Sequence, residues 1–507
     1  MEATKRIIVN TTAQYLKAVI NTVLSLYSTR LILDALQISD YGIYTVVGGV
    51  VAMLGFISNA LIITTQRYVS FYHGQGNPQE VRSIFINSLL LHLVLGIIIA
   101  VALLLPQDWL IHSVLNLPQD RIVVAGHIYV ITVFMLFFTI LSAPFKALFI
   151  ARENIIYIAV VEVVDAIIKF ILAICLAYIT IDRLLFYAFF MGGIVVANLL
   201  AFSIYALVRF QECTVIIRLK DIKRSAIKQL LGFAGWTTFG MGAVASRNQG
   251  TAIVLNHFFG TAVNAAYGIA FHLYGAVAFV VTSILNAMNP QIMKLEGGNE
   301  RNRMLKLAGK ESKFSVALLS IATIPIIIEM PAILDTWLKE VPPYTCLFCR
   351  IVLISFICDQ LTMGLQTAIQ ATGKIRNYTL LIYTPKLLFV PVIWLMFCYH
   401  YSIQAIMILF IIVELSVALI RIPYCKHRIR LNMYEYTKGV ILPQIPLWLT
   451  ISFIGFLCIR WLDVPFRFVL NYILSATIGI ISAWFFILEK TEKNYVKQMF
   501  SKIKYHD

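Results

Sequence analysis

Charge is the scarce commodity in this sequence. Asp, Glu, Lys and Arg make up 13% of its 507 residues, where a soluble domain carries roughly 25%. So few charges cannot cover a water-soluble surface, and the mean hydropathy of +0.83 excludes one. Acidic residues are the rarer kind, 25 against 41 Lys and Arg, for a net charge of +16. The eight cysteines are scattered, and the single C-x-x-C pair, Cys346 and Cys349, has no histidine or second pair to complete a metal site. No H-E-x-x-H, no Walker sequence and no pair of carboxylates on one loop is present. Those absences argue against hydrolytic, nucleotide-driven and glycosyl-transfer chemistry. Gly/Ser linkers and low-complexity tracts are missing, as is a cleavable signal peptide, so the first span is expected to act as its own uncleaved signal.

What the chain has instead is long apolar runs such as "LLLHLVLGIIIAVALLLP", Leu89 to Pro106. They do not alternate, so they read as membrane helices of about 20 residues and not as barrel strands. We read fourteen spans, which leave room only for short connections. The positive charge is laid out by loop: about thirty Lys and Arg fall on the side of the N-terminus and about five on the other. That asymmetry argues against a nucleic-acid role and predicts a multi-pass membrane protein with both termini cytoplasmic.

The spans repeat. "YGI" recurs at Tyr41 and Tyr267, "NA" at Asn59 and Asn286, and "GN" at Gly76 and Gly298, at offsets of 226, 227 and 222 residues. Six spans separate the copies, so the two copies share one orientation. The expected organisation is all-α, with about 14 transmembrane helices in two pseudo-symmetric six-helix lobes. The N-lobe (1–208) holds spans one to six, and 209–229 is an amphipathic linker. The C-lobe (230–422) holds spans seven to twelve; spans thirteen and fourteen (423–488) and a basic tail (489–507) follow.

The segments "DYGIY", "NALIITTQRYVSFYHGQGN", "RNQGTAIVLNHFFGTAVNAAYGIA" and "NAMNPQIMKLEGGN" carry a resemblance. Together with the span count, they make the whole chain similar to the multidrug/oligosaccharidyl-lipid/polysaccharide exporter (MOP) superfamily. Within it the chain most resembles bacterial polysaccharide flippases of the Wzx type. The resemblance implies a MATE-like fold and a non-enzymatic transporter of the bacterial inner membrane. Its cargo would be an undecaprenyl-diphosphate-linked oligosaccharide, flipped to the periplasmic leaflet by alternating access. It implies no cofactor beyond H+ or Na+ coupling. Membrane lipids, and polysaccharide polymerase or assembly proteins, are the expected partners. The alternative within the superfamily is a MATE-like multidrug/cation antiporter; a membrane polymerase or glycosyltransferase is a remote third.

An ionised side chain in the bilayer costs at least about 2.5–3.5 kcal/mol and needs a partner or a wet cavity. In the first span Asn10, Gln14, Lys17, Asn21, Ser25 and Ser28 form one polar stripe, which faces either a cavity or a neighbouring helix. In the seventh, Arg247 lies among Gly240, Ala243 and Gly250, which make room for an anion or for close helix packing; Asn248, Gln249 and Asn256 add hydrogen-bonding capacity. A guanidinium holds phosphate bidentately and does not titrate away. Lys17, Arg247 and Arg30 are therefore the candidate substrate-binding cations, with Asn10, Gln14, Asn21, Asn248, Gln249 and Gln366 as polar lining. Arg30 also suits a local pair with Asp34, as Asp165 does with Lys169. Glu162, Asp165 and Asp359 are candidates for ion coupling. Kinks are expected at Pro325, Pro331, Pro385 and Pro391.

Overall fold

A computed structural model describes residues 2–52, 54–115, 118–213, 221–338, 340–461, 464 and 466–494. The middle of the expected linker, 214–220, and most of the basic tail, 495–507, lie outside the described residues. Within them the chain is helical, with no strand. In chain order the main helices are α1 (Glu2–Ala52), α2 (Gly55–Gly74), α3 (Pro78–Leu104), α4 (Ile122–Ala151), α5 (Ile155–Cys175), α6 (Arg183–Arg209) and α7 (Arg224–Gly297). They continue as α8 (Arg301–Ile328), α9 (Met330–Trp337), α10 (Thr345–Gln360), α11 (Met363–Thr372), α12 (Arg376–Cys398), α13 (Ile403–Ile429), α14 (Gln444–Trp461) and α15 (Arg467–Phe486).

Ten of these helical stretches are long and apolar enough to cross a membrane, or eleven if the bent pair α10 and α11 is one span. The fourteen expected spans differ from that number for three local reasons. The 74-residue α7 is two helices joined at Gly260. The 21-residue α5 carries Glu162, Asp165 and Lys169, and the second span is divided between the end of α1 and α2. Large apolar side chains such as Ile98, Ile204, Leu395 and Ile480 are exposed along the helices, a surface that lipid covers without cost. The protein is a multi-pass membrane protein.

Local chemistry sets the helix starts. Asn77 caps α3, its Oδ1 accepting from the Glu80 N–H at 3.1 Å, with Pro78 at the first helical position. Asp182 caps α6 and Ser402 caps α13 in the same way.

The chain forms two compact units. The first comprises Met1–Gly242 with the short segments Asn289–Glu300 and Gly373–Arg376. Here α1 packs on α5, and α4 lies against α2, α3 and α6, around Ile128, Val133, Ile140 and Leu172. The second comprises Ala243–Met288, Arg301–Thr372 and Asn377–Asp507. Here α8 packs on α10, α11, α14 and α15, around Leu353, Ile406, Leu447 and Ile451. The last two long helices therefore belong to the second unit.

The repeat reappears in backbone geometry. Helix α1 breaks at Gln37 (φ 64°, ψ 166°) and α7 at Gly260 (φ 80°, ψ −174°), 223 residues apart. Within the first unit the ends of α2 and α7 cross so closely that a methyl group on Gly74 would fall on the Lys294 carbonyl. A methyl group on Gly297 would fall on the Phe71 carbonyl. Both correspondences, Phe71 with Lys294 and Gly74 with Gly297, have that same offset of 223. The contact is thus two-fold symmetric. Lys294 closes it with an ion pair to Glu153 at 2.5 Å.

The ninth span breaks at Glu329, between Pro325 and Pro331. Helix α12 continues through Pro385 and Pro391, and α8 through Pro325, while Pro331 opens α9. The sharp bend in the second unit, 47° between α10 and α11, falls where there is no proline. Side-chain donors take up carbonyls freed there: Arg421 binds the Asp359 oxygen at 3.2 Å and the Tyr436 hydroxyl the Leu361 oxygen at 2.8 Å.

Candidate functional site

The second unit holds a cavity of about 180 Å³ lined by five charged side chains from four helices. Arg247 comes from α7, Asp359 from α10, Lys386 from α12, and Glu414 and Arg421 from α13. Positions 414 and 421 are two turns apart and so share one face of α13.

Glu414 is the hub. One oxygen takes the Arg247 guanidinium and the other takes Lys386 Nζ at 2.9 Å. All three side chains are buried. Arg247 is held further by Asn248 Oδ1 at 2.9 and 3.1 Å and lies over the Phe410 ring at 4.7 Å. Arg421 pairs with Asp359 at 2.9 Å and donates to Thr362 and Gln366, each at 3.3 Å. Three cations face two carboxylates, so the cavity keeps one unbalanced positive charge.

Donors are in surplus as well. Gln366 Oε1 receives the Arg421, Tyr378 and Tyr383 donors at 3.2 to 3.3 Å, three donors on an oxygen with two lone pairs. Tyr383 also lines the cavity. A cation-rich, donor-rich chamber is complementary to an anion with several acceptor oxygens.

The predicted residues Arg247, Asn248, Gln366 and Asp359 are brought together here. Gln249 is exposed and lines a more open cavity of about 650 Å³ with Asn264, Tyr267 and His272. The small residues near Arg247 serve packing at one point at least, since a methyl on Gly250 would come within 2.7 Å of Val390.

The other candidates lie in the first unit. Lys17 pairs with Glu162 at 2.8 Å, and Glu162 also takes Lys146 at 2.5 Å. This puts Lys17 on a seam between α1 and α5, with Glu162, an expected ion-coupling residue, bridging two lysines. Asn10 is buried and donates to the Glu153 carbonyl at 3.0 Å. Gln14 is buried, and Asn21 is half-buried with its carbonyl oxygen unpaired. Asp165 pairs with Lys169 at 2.8 Å and accepts from Asn198 at 2.7 Å. Arg30 and Asp34 are both exposed, and no ion pair joins them among the described residues.

Both units contain a carboxylate shared by two cations on neighbouring helices: Lys17–Glu162–Lys146 in the first and Arg247–Glu414–Lys386 in the second. Sequence reasoning assigned no role to Lys386, Glu414, Arg421 or Tyr383. Lys386 and Glu414 were visible as isolated charges in apolar runs. Arg421 was hidden because α13 runs on to Ile429, past the expected lobe boundary at 422.

Comparison with known proteins gives the fold a context. The MatE family model matches residues 13–175, just under a third of the chain. No curated protein matches. A crystal structure of MATE in complex with MaL6 superimposes with a TM-score of 0.72 at 14% identity, covering 85% of this chain and 97% of that one. A MOP superfamily transporter from Pyrococcus furiosus Vc1, described as having a binding pocket of reverse polarity that suggests a different function, gives 0.72 at 14% identity over 84% and 96%. An outward-facing multidrug resistance MATE family transporter of the MOP superfamily gives 0.72 at 12% over the same shares. At these identities the likeness is one of fold: the chain has the helical architecture of MATE and MOP superfamily transporters.

Proposed function

We propose that the protein is a membrane transporter working by alternating access, and that its cargo is anionic. The observation that carries this reading is the charge of the second unit's cavity, where Arg247, Lys386 and Arg421 outnumber Glu414 and Asp359. An unbalanced buried cation favours a negatively charged ligand, and Arg247 and Arg421 offer the planar donors that hold phosphate.

The cargo that fits best is an undecaprenyl-diphosphate-linked oligosaccharide. Its diphosphate would exchange with Glu414 at Arg247 and Lys386, and its sugars would take the donors at Tyr383 and Gln366. Lys17 and Arg30 are proposed as further contacts along the route. The positive-inside asymmetry supports insertion in a bacterial inner membrane with both termini cytoplasmic. The neighbour with a pocket of reverse polarity supports the idea that this fold accepts cargo of the opposite charge.

A second reading is a MATE-like multidrug/cation antiporter, and the comparisons favour it over the flippase: MatE is the matching family, and one structural neighbour is a multidrug resistance transporter. In that reading Glu414 and Asp359 are the working groups. One experiment separates the two. Proteoliposomes are loaded with fluorescent lipid-linked oligosaccharide or with ethidium, using wild type and Arg247→Ala. The flippase reading expects oligosaccharide translocation that Arg247→Ala reduces at least about tenfold, the loss of one charge-assisted phosphate contact. Ethidium export that persists in Arg247→Ala, with no oligosaccharide movement, would leave the antiporter.

A further inference from the structure

Glu311 lies in α8, ten residues from its start, outside the charged cavity. Its exposure is 0%, with Ser312 and Ser315 beside it at 0%. One carboxyl oxygen accepts from the Thr367 hydroxyl of α11 at 3.1 Å. Among the described residues the other, Oε2, has no hydrogen-bond partner, and neither has the Ser315 hydroxyl one turn further along the same helix face. A fully buried carboxylate with a single neutral donor and no counter-charge is the costliest state a side chain can adopt, and such a group neutralises instead.

The charged groups around it are otherwise engaged. On α8, Lys310 pairs with Glu492 at 2.9 Å, and Lys313 with Glu489 and Glu492 at 3.2 and 3.0 Å. Helix α11 contains no ionisable residue. On α10, Asp359 belongs to Arg421. From the segment before α14, Tyr436 donates to the Leu361 carbonyl, and Lys438 lies 5.7 Å from the Tyr434 ring. Helix α14 contributes Gln444, whose amide nitrogen binds the Lys313 carbonyl, and has its arginine, Arg460, at the far end. On α15, Arg467 pairs with Glu329.

The surroundings favour a proton over a metal ion. Gly364 of α11 lies against α8 so tightly that a methyl there would fall on the Ala308 carbonyl, and its N–H donates to Ser312 Oγ at 2.9 Å. Backbone touches backbone beside Glu311, and among the described residues no cluster of three His, Cys, Asp or Glu gathers to hold a cation that wants about six oxygen ligands.

We propose that Glu311 is a proton-binding carboxylic acid whose occupancy sets the packing of α11 on α8. Helix α11 then links this proton to the cavity through adjacent residues: Thr367 binds Glu311, while Gln366 faces the cavity and holds Arg421, Tyr378 and Tyr383. Deprotonation leaves a bare charge at a dry contact, and hydrating it requires α11 to move off α8. That movement withdraws Gln366 from Arg421, so proton loss loosens the cavity. Proton coupling of transport through this helix rests on the transporter reading; the proton site itself does not.

Two measurements on the full protein in lipid test the proposal. Infrared spectra at neutral pH should show a protonated-carboxyl C=O band that Glu311→Gln removes and Thr367→Val shifts without removing. A band unchanged in both variants would overturn it. Hydrogen exchange in Met363–Thr372, corrected for the intrinsic pH dependence of the amides, gives the second. If opening requires loss of one proton, wild-type exchange rises about tenfold per pH unit, while Glu311→Gln stays flat. Equal pH dependence in wild type and variant would refute the link to α11. Absence of any transport, with both results as expected, would discard the transporter reading and leave the proton site intact.

Discussion

At the scale of the residue, the fate of one carboxylate decides what several cations can do. Glu414 neutralises two of them, so Glu414→Ala leaves Arg247 and Lys386 buried without a counter-charge, at a cost of about 3–5 kcal/mol. Lys386→Met should cost clearly less, because Arg247 remains on Glu414. The thermal unfolding midpoints of the purified variants should follow that order; a reversed order would mean that Glu414 is not the hub. Arg247 and Asp359 were legible as functional candidates because an unpartnered charge in an apolar run is costly. Their partners were not legible, since no periodicity records which helices face each other. Lys17 shows the same limit: its stripe was visible, but a seam and a cavity have the same pattern until α5 brings Glu162 to it.

At the scale of the element, the helix breaks carry the repeat. Gln37 occupies a backbone region that is nearly glycine-only, and such strain costs of order 1–3 kcal/mol. Its side chain recovers part of that through a bond from Nε2 to the Asp34 carbonyl at 2.8 Å. Gln37→Gly should therefore raise the unfolding midpoint, and Gly260→Ala, its counterpart, should lower it. The crossing of α2 with α7 makes a symmetric prediction. Gly74→Ala and Gly297→Ala each put a methyl on the opposing backbone and should destabilise by similar amounts. Unequal effects in thermal unfolding would show that one side of the contact yields. The ninth span breaks between Pro325 and Pro331 and α12 runs on past its two prolines, while the break between α10 and α11, which has no proline, is stabilised by Arg421 and Tyr436.

At the scale of the whole molecule, the asymmetry of Lys and Arg makes the prediction. Both termini should lie on the cytoplasmic side, so a fluorescent protein fused after Asp507 should fold and emit in living cells. A cysteine placed at Pro118 should react with an impermeant maleimide added from outside. Labelling only after the membrane is opened would invert the topology and, with it, the direction of transport.

The sequence by itself, through its composition, charge order and recurring short motifs, determined that this chain is a bundle of membrane helices, that its two halves repeat, and that Arg247 needs an explanation. These follow from local costs: apolar length, buried charge and the sign of loop residues are properties of a stretch of chain. Only the tertiary structure decided that Arg247 shares Glu414 with Lys386, that Arg421 belongs to the same chamber, and that Glu311 has no counter-charge among the described residues. Pairing and isolation depend on which helices pack together. In a chain that is apolar on nearly every face, hydrophobic pattern does not choose among the possible packings.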